Sequence, residues 1–164
     1  MPTILVLGLG NMILRDEGVG VRAVGRLAER YRLPEDVALL DGGTIGLGLL
    51  PYLEGVTHLL IIDTVQHGRS PGAIVRLQNE QIPQALALKL SMHQAGLQEL
   101  LAALSLQGHL PPHVVLWGIE PLVIEPGLEL SEPVAQSLDA LVDSVTAELR
   151  AWGVDVASLA GAMR

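Results

Sequence analysis

The sequence predicts an α/β fold: a three-layer α/β/α sandwich around a mostly parallel five-stranded sheet with one antiparallel edge strand. Three observations carry this reading. Short apolar runs at 3–7, 37–40, 57–62 and 113–117 alternate with stretches whose apolar residues recur at helical spacing. Between the run at 57–62 and the next, at 73–77, the chain offers only a Ser70-Pro71-Gly72 turn. That link is too short for a crossover helix, so the strand at 73–77 is expected antiparallel at the sheet edge. Finally, a glycine-rich stretch, Gly8-Leu9-Gly10-Asn11 through Asp16-Glu17-Gly18-Val19-Gly20, lies where the first strand hands over to the first helix.

The elements follow in order. The first helix carries Val24, Leu27, Ala28 and Tyr31 on one side and Arg22, Arg26, Glu29 and Arg30 on the other, and Pro34 ends the segment. The strand at 37–40 leads into Asp41-Gly42-Gly43-Thr44, and a small helix weakened by its glycines is expected over 46–53. The run at 57–62 ends at Asp63. Ser91-Met92-His93-Gln94 has capping-box form, which puts His93 in the first turn of a helix marked by Leu97, Leu100, Leu101 and Leu104. The strand at 113–117 is expected to be central, with a long loop over 118–127 after it. Ser131 is expected to cap the last helix, whose stripe runs Val134, Leu138, Leu141, Val142, Val145, Leu149 and Trp152. Residues 153–164 carry no strong pattern and are expected to fray.

Composition narrows the function classes. With 164 residues, 49% of them hydrophobic, a single domain over 1–164 can bury a sizeable core. Aromatics are 2%, so that core must be aliphatic. A net charge of −8 argues against nucleic acid and anionic membrane as partners. Cysteine is absent, which removes disulfides and thiolate metal sites. The first residues, Met1-Pro2-Thr3-Ile4, show neither a basic region nor a long apolar segment, and no run approaches the ~18 apolar residues of a membrane span. A cytoplasmic location without membrane insertion is therefore expected.

Right-handed crossovers place the carboxyl ends of parallel strands along one edge, where α/β sheets bind ligands. Three of those ends are polar: the stretch from Gly8 to Glu17, the segment Asp41 to Thr44, and Asp63. With His93 opening a helix, Glu17, Asp63 and His93 form a candidate site for a divalent ion with coordination positions left open. Each also has a plainer role, Glu17 at a helix start, Asp63 in a turn and His93 at a cap. Asn11 can bond across its loop. His58, His67, His109 and His113 are read as structural. A dinucleotide fingerprint fails because Ile13 stands where the third glycine belongs, and neither a Walker lysine nor a Gly-x-Ser-x-Gly elbow is present.

These residues together resemble the endopeptidases that mature the large subunit of nickel–iron hydrogenases. The resemblance runs through Ile4 to Asn11, Asp16 to Arg22, Leu40 to Thr44, His58 to Asp63, Ser91 to Gln94, and Pro111 to Pro121 with its Trp117-Gly118-Ile119-Glu120. It implies a three-layer α/β/α fold and removal of a C-terminal extension from the nickel-loaded precursor. It puts the metal contacts on Glu17, Asp63 and His93, and substrate recognition or catalysis on Asp41, Gly42 and Gly43, with Thr44 beside them. Nickel is expected to arrive with the precursor, other divalent metals being able to replace it in vitro. Asp41 or Asp63 is the candidate general base, so metal-dependent and aspartyl-type hydrolysis both stay open. A metal-checking chaperone of the same precursor, or a nucleotide-binding α/β module, are the alternatives.

Overall fold

A computed structural model describes residues 3–86 and 92–159, with the side chains of Leu86, Met92 and His93 outside the description. Strand β1 (Ile4–Leu9) is buried along its whole length. A 3-10 turn (Arg15–Gly18) leads into α1 (Val19–Arg30), which runs into the short β2 (Tyr31–Arg32). Then come β3 (Val37–Gly43), a 3-10 segment (Gly46–Leu53), β4 (His58–Thr64) and β5 (Ile74–Gln78). Helices α2 (Gln81–Leu86) and α3 (Met92–Leu106), strand β6 (His113–Ile119), helix α4 (Glu132–Ala151) and the short β7 (Ala157–Ser158) complete the described chain.

The main sheet has the order β3-β1-β4-β6-β5. β1 pairs in parallel with β3 and β4, β4 with β6, and β5 runs antiparallel to β6 at the edge. The fold class and the antiparallel edge are as the sequence predicts. The strand at 113–117 was expected to be central; as β6 it lies one place in from the edge.

Alternation along the strands divides the core in two. Leu5, Leu7, Leu59 and Ile61 pack with Leu49, Leu97, Leu100 and Leu104 against the 3-10 segment and α3. Ile4, Val6, Leu60 and Ile62 pack with Leu27 of α1 and with Leu138, Leu141 and Val145 of α4. Burying each such side chain contributes about 1.5–3 kcal/mol, so the stripes on α3 and α4 suffice to fix both layers. On α1 the stripe shifts. Ala28 is exposed and Ala23 is buried, because the helix starts at Val19 and its inward face runs through Val19, Ala23, Val24 and Leu27.

Other differences have local causes. The segment over 46–53 is 3-10 rather than α, with Pro51 inside it. Asp41-Gly42-Gly43 belongs to the end of β3, where the register with β1 shifts between Gly8 and Leu9. The described part of the tail is tied down: Val154 and Val156 are buried and Ala157–Ser158 pairs antiparallel with Tyr31–Arg32. Ser91, half of the expected capping box, lies outside the described residues. Among the described residues no helix is long and apolar enough to cross a membrane.

After β1 the chain goes to β3 on one side, then crosses to β4 on the other. The carboxyl ends of β1 and β4 therefore flank the switch point of the sheet, where a crevice opens. Gly20 lets α1 settle onto that crevice, since a Cβ there would collide with the carbonyl oxygens of both Ile62 and Leu9.

Candidate active site

The loop leaving β1 is built by short-range contacts. Gly10 has φ 128°, its N–H donates to the Gly43 carbonyl at 3.0 Å, and a Cβ there would strike the Glu17 carbonyl oxygen. Only glycine meets all three demands. Asn11 Oδ1 accepts from the Ile13 N–H at 3.1 Å, a local turn bond two residues along rather than a bond across the loop. The loop thus folds back so that the turn carrying Asp16 and Glu17 packs against β4.

The two adjacent acids then part ways. Asp16 is fully buried and is consumed by structure. The Leu122 and Val123 N–H groups donate to its Oδ2 at 2.9 and 2.8 Å, the Ser131 N–H donates to Oδ1 at 2.7 Å, and the Ser131 hydroxyl donates to Oδ2 at 2.7 Å. Burial on its own raises this carboxyl; the bonds from Val123, Ser131 and Leu122 outweigh it and hold the group below the ordinary carboxylate range. Ser131 stands at the N-cap position of α4 but makes no side-chain cap bond, because its hydroxyl is given to Asp16. The expected Ser131 cap is corrected accordingly.

Glu17 is 5% exposed and Asp63 is fully buried. Asp63 follows Leu59 and Ile61 in the row that faces α3, and its Oδ1 accepts from the Thr64 N–H at 2.7 Å. The first turn of α3 is fastened to the same place: buried Gln94 donates from Nε2 to the Thr64 carbonyl at 2.8 Å. Gln94 therefore ties the start of α3 to β4. His93 is the neighbouring residue on that turn; its side chain lies outside the described residues. Among the described residues no group of three or more His, Cys, Asp or Glu side chains converges as a metal would need.

Asp41 is placed differently. It is exposed, it follows Val37 and Leu39 in the row facing α1 and α4, and it stands level with Gly8 of β1. Its Oδ1 accepts from the Gly43 N–H at 3.0 Å. Asp41 and Asp63 thus emerge on opposite faces of the sheet, with β1 between their strands and about 10 Å between their backbones. Thr44 is exposed in the turn that follows. Three backbone groups of this segment are already engaged: the Gly43 N–H by Asp41, the Gly43 carbonyl by Gly10, and the Gly42 carbonyl by the Ile45 N–H.

The histidines read as structural lie mostly elsewhere. His58 and His113 sit at the opposite ends of their strands. His67, in the loop after β4, is exposed, and its backbone N–H donates to Glu120 at 3.0 and 3.1 Å. Glu120 also accepts from the Arg69 N–H at 2.6 Å and so fixes that loop. The sequence reading placed Glu120 only in a loop, and its bonding over more than fifty positions leaves no local signal.

Fold and rim define an α/β domain with two buried acids at its switch-point crevice and no phosphate-binding loop. Comparison with known proteins narrows this class. Residues 21–148 match a family model described as hydrogenase maturation protease. The chain is 43% identical over 155 residues to the hydrogenase expression/formation protein HupD of Rhodobacter capsulatus, covering 93% of this chain and 74% of the relative. It is 40% identical over 153 residues to the hydrogenase 2 maturation protease of Escherichia coli K12, covering 93% of each. The solved structure of the hydrogenase maturating endopeptidase HybD from Escherichia coli superposes with a TM-score of 0.93 at 38% identity, over 98% of this chain and 99% of that one. The chain belongs to the hydrogenase maturation protease family, and its chemistry is peptide-bond hydrolysis.

Proposed function

We propose that this chain, acting in the cytoplasm, removes the C-terminal extension of a nickel-loaded large-subunit precursor of a nickel–iron hydrogenase. The nickel belongs to the substrate and docks on Glu17, Asp63 and His93. The observation that carries the reading is the pair of buried acids beside a helix turn fastened to β4. Glu17 is 5% exposed, Asp63 is fully buried, and Gln94 binds the carbonyl of Thr64. Two oxygen donors and an imidazole can join an ion already held by thiolates without stripping it from those softer ligands.

The separation of Asp41 from Asp63 divides the labour. Asp63, on the α3 face, is the acid that can meet both the metal and the water or carbonyl of the scissile bond. Asp41 grips the incoming peptide. With the Gly43 N–H and carbonyl and the Gly42 carbonyl engaged, that grip falls to the Asp41 carboxylate and the Thr44 hydroxyl. Nickel docked at the crevice polarises the scissile carbonyl or activates water, and Asp63 takes the proton.

Mass spectrometry of precursor incubated with the chain tests this. Nickel-loaded precursor should lose its extension and metal-free precursor should not. Equal cleavage of both would remove the docking role of nickel, and binding without any released peptide would leave a chaperone instead of a protease.

A further inference from the structure

Beside the acid crevice, five large apolar side chains stand in water. Ile13, Leu122 and Leu128 are 61%, 56% and 64% exposed, and Met12 and Ile124 are 39% and 40% exposed. Two chain segments carry them, and these segments lie side by side. The Gly127 N–H donates to the Ile13 carbonyl at 2.9 Å, the Arg15 N–H to the Gly127 carbonyl at 3.1 Å, and the Asp16 N–H to the Val123 carbonyl at 3.1 Å. Leu14 and Gly127 form a parallel bridge.

The outer segment is further pinned by side chains. Asp16 holds Leu122, Val123 and Ser131, Arg15 Nε donates to the Glu129 carbonyl at 3.0 Å, and Arg22 donates to the Leu128 carbonyl. A loop free to move would turn these leucines and isoleucines inward. Here the backbone is fixed by a buried carboxylate and two arginines, and the apolar side chains are held outward. Exposed apolar side chains grouped on two paired segments mark a surface for another macromolecule.

Its place in the fold says which one. Asp16 sits within the ladder and Glu17 is the next residue, so the face continues directly into the rim of the crevice. A polypeptide that presents a segment to Glu17 and Asp63 brings its bulk beside this face. A second copy of the chain seated here would cover the crevice and obstruct a peptidase. We infer that the face formed by Met12, Ile13, Leu122, Ile124 and Leu128 docks the folded body of the protein substrate, apart from the segment that is cut. This rests on the proposed function and adds the surface that recognises the precursor.

The test uses the full chain with Ile13→Ser and Leu128→Ser combined, both at positions that face water. Affinity for nickel-loaded precursor is read separately from cleavage, alongside kcat, KM, the melting temperature and the oligomeric state. Losing two docked aliphatic side chains should weaken binding and raise KM by at least about tenfold, with kcat at saturation and melting temperature retained. Unchanged affinity and KM would overturn the inference. So would a wild-type dimer that the double variant dissolves, since the face would then serve self-association. Wild-type binding that the double variant loses, without peptide release by either, would support this surface and sink the proposed proteolysis. Peptide release with an unaltered KM would do the reverse.

Discussion

β4 begins with His58 and nearly ends with Asp63, and its two ends differ in chemistry. At the amino end the His58 ring stacks on His113, with centroids 4.4 Å apart and planes 16° from parallel, and tilts against Trp152 at 4.8 Å. His58 Nδ1 meets the Thr57 hydroxyl at 2.8 Å. Burial, and then the neighbouring His113, push the His58 imidazole below the ordinary histidine range. At the carboxyl end the buried groups are carboxylates, met by backbone N–H groups, a helix start and the first turn of α3. Histidines are the commonest metal ligands, yet here two of them use their faces for packing at the edge away from the crevice. Position on the sheet, more than residue type, separates the packing cluster from the candidate site.

That contrast can be broken at several points. The largest effect belongs to Asp63→Asn, which keeps shape and burial while removing the charge. Cleavage of precursor should fall by about a thousandfold with the melting temperature nearly unchanged. Full activity would take Asp63 out of the chemistry. Glu17→Gln should behave alike. Asp16→Ala is expected to act on stability instead. It strands the N–H groups of Leu122, Val123 and Ser131, and denaturant titration should show a loss of about 4 kcal/mol. A loss below about 1 kcal/mol would mean those groups find other partners.

Gly20→Ala tests the close seating of α1 on the crevice. Its Cβ would meet the Ile62 and Leu9 carbonyls, so about 3 kcal/mol of destabilisation is expected, with damaged activity because the Glu17 turn moves with the helix. The smallest effect concerns the other end of β4. Unfolded histidine takes up a proton near pH 6.5, and folded His58 resists until lower pH. Between the two the unfolded state binds more protons, so stability contributed there is complete above about pH 6.5 and declines below it. His58→Phe should flatten that decline while leaving peptide release unchanged; an unaltered pH profile of stability would show that His113 or another group sets it.

Much of the architecture was legible because it rests on local period and on link length. The stripes of α3 and α4, the buried run of β1 and the antiparallel β5 all follow from spacing that any short window reveals. Asp63 was legible as the polar end of an apolar strand. The role of Asp16 was not, because its partners lie 106 to 115 positions away. Ser131 was misread for the same reason: its cap position is local, its bond to Asp16 is not. The β2–β7 ribbon joins residues too far apart, and strands too short, to leave a pattern. The opposite facing of Asp41 and Asp63 needed the register, which places Asp41 level with Gly8 and Asp63 level with Gly118. Sequence could list both acids on one edge and could not tell that they look away from each other.

The central claim is that the substrate's nickel gains donors from this crevice. X-ray absorption at the nickel edge, recorded on loaded precursor alone and on its complex with the chain frozen before turnover, reads those donors directly. Binding should add oxygen and nitrogen ligands to the thiolate shell, and Glu17→Gln should remove an oxygen. A nickel spectrum that stays the same on binding would contradict the account.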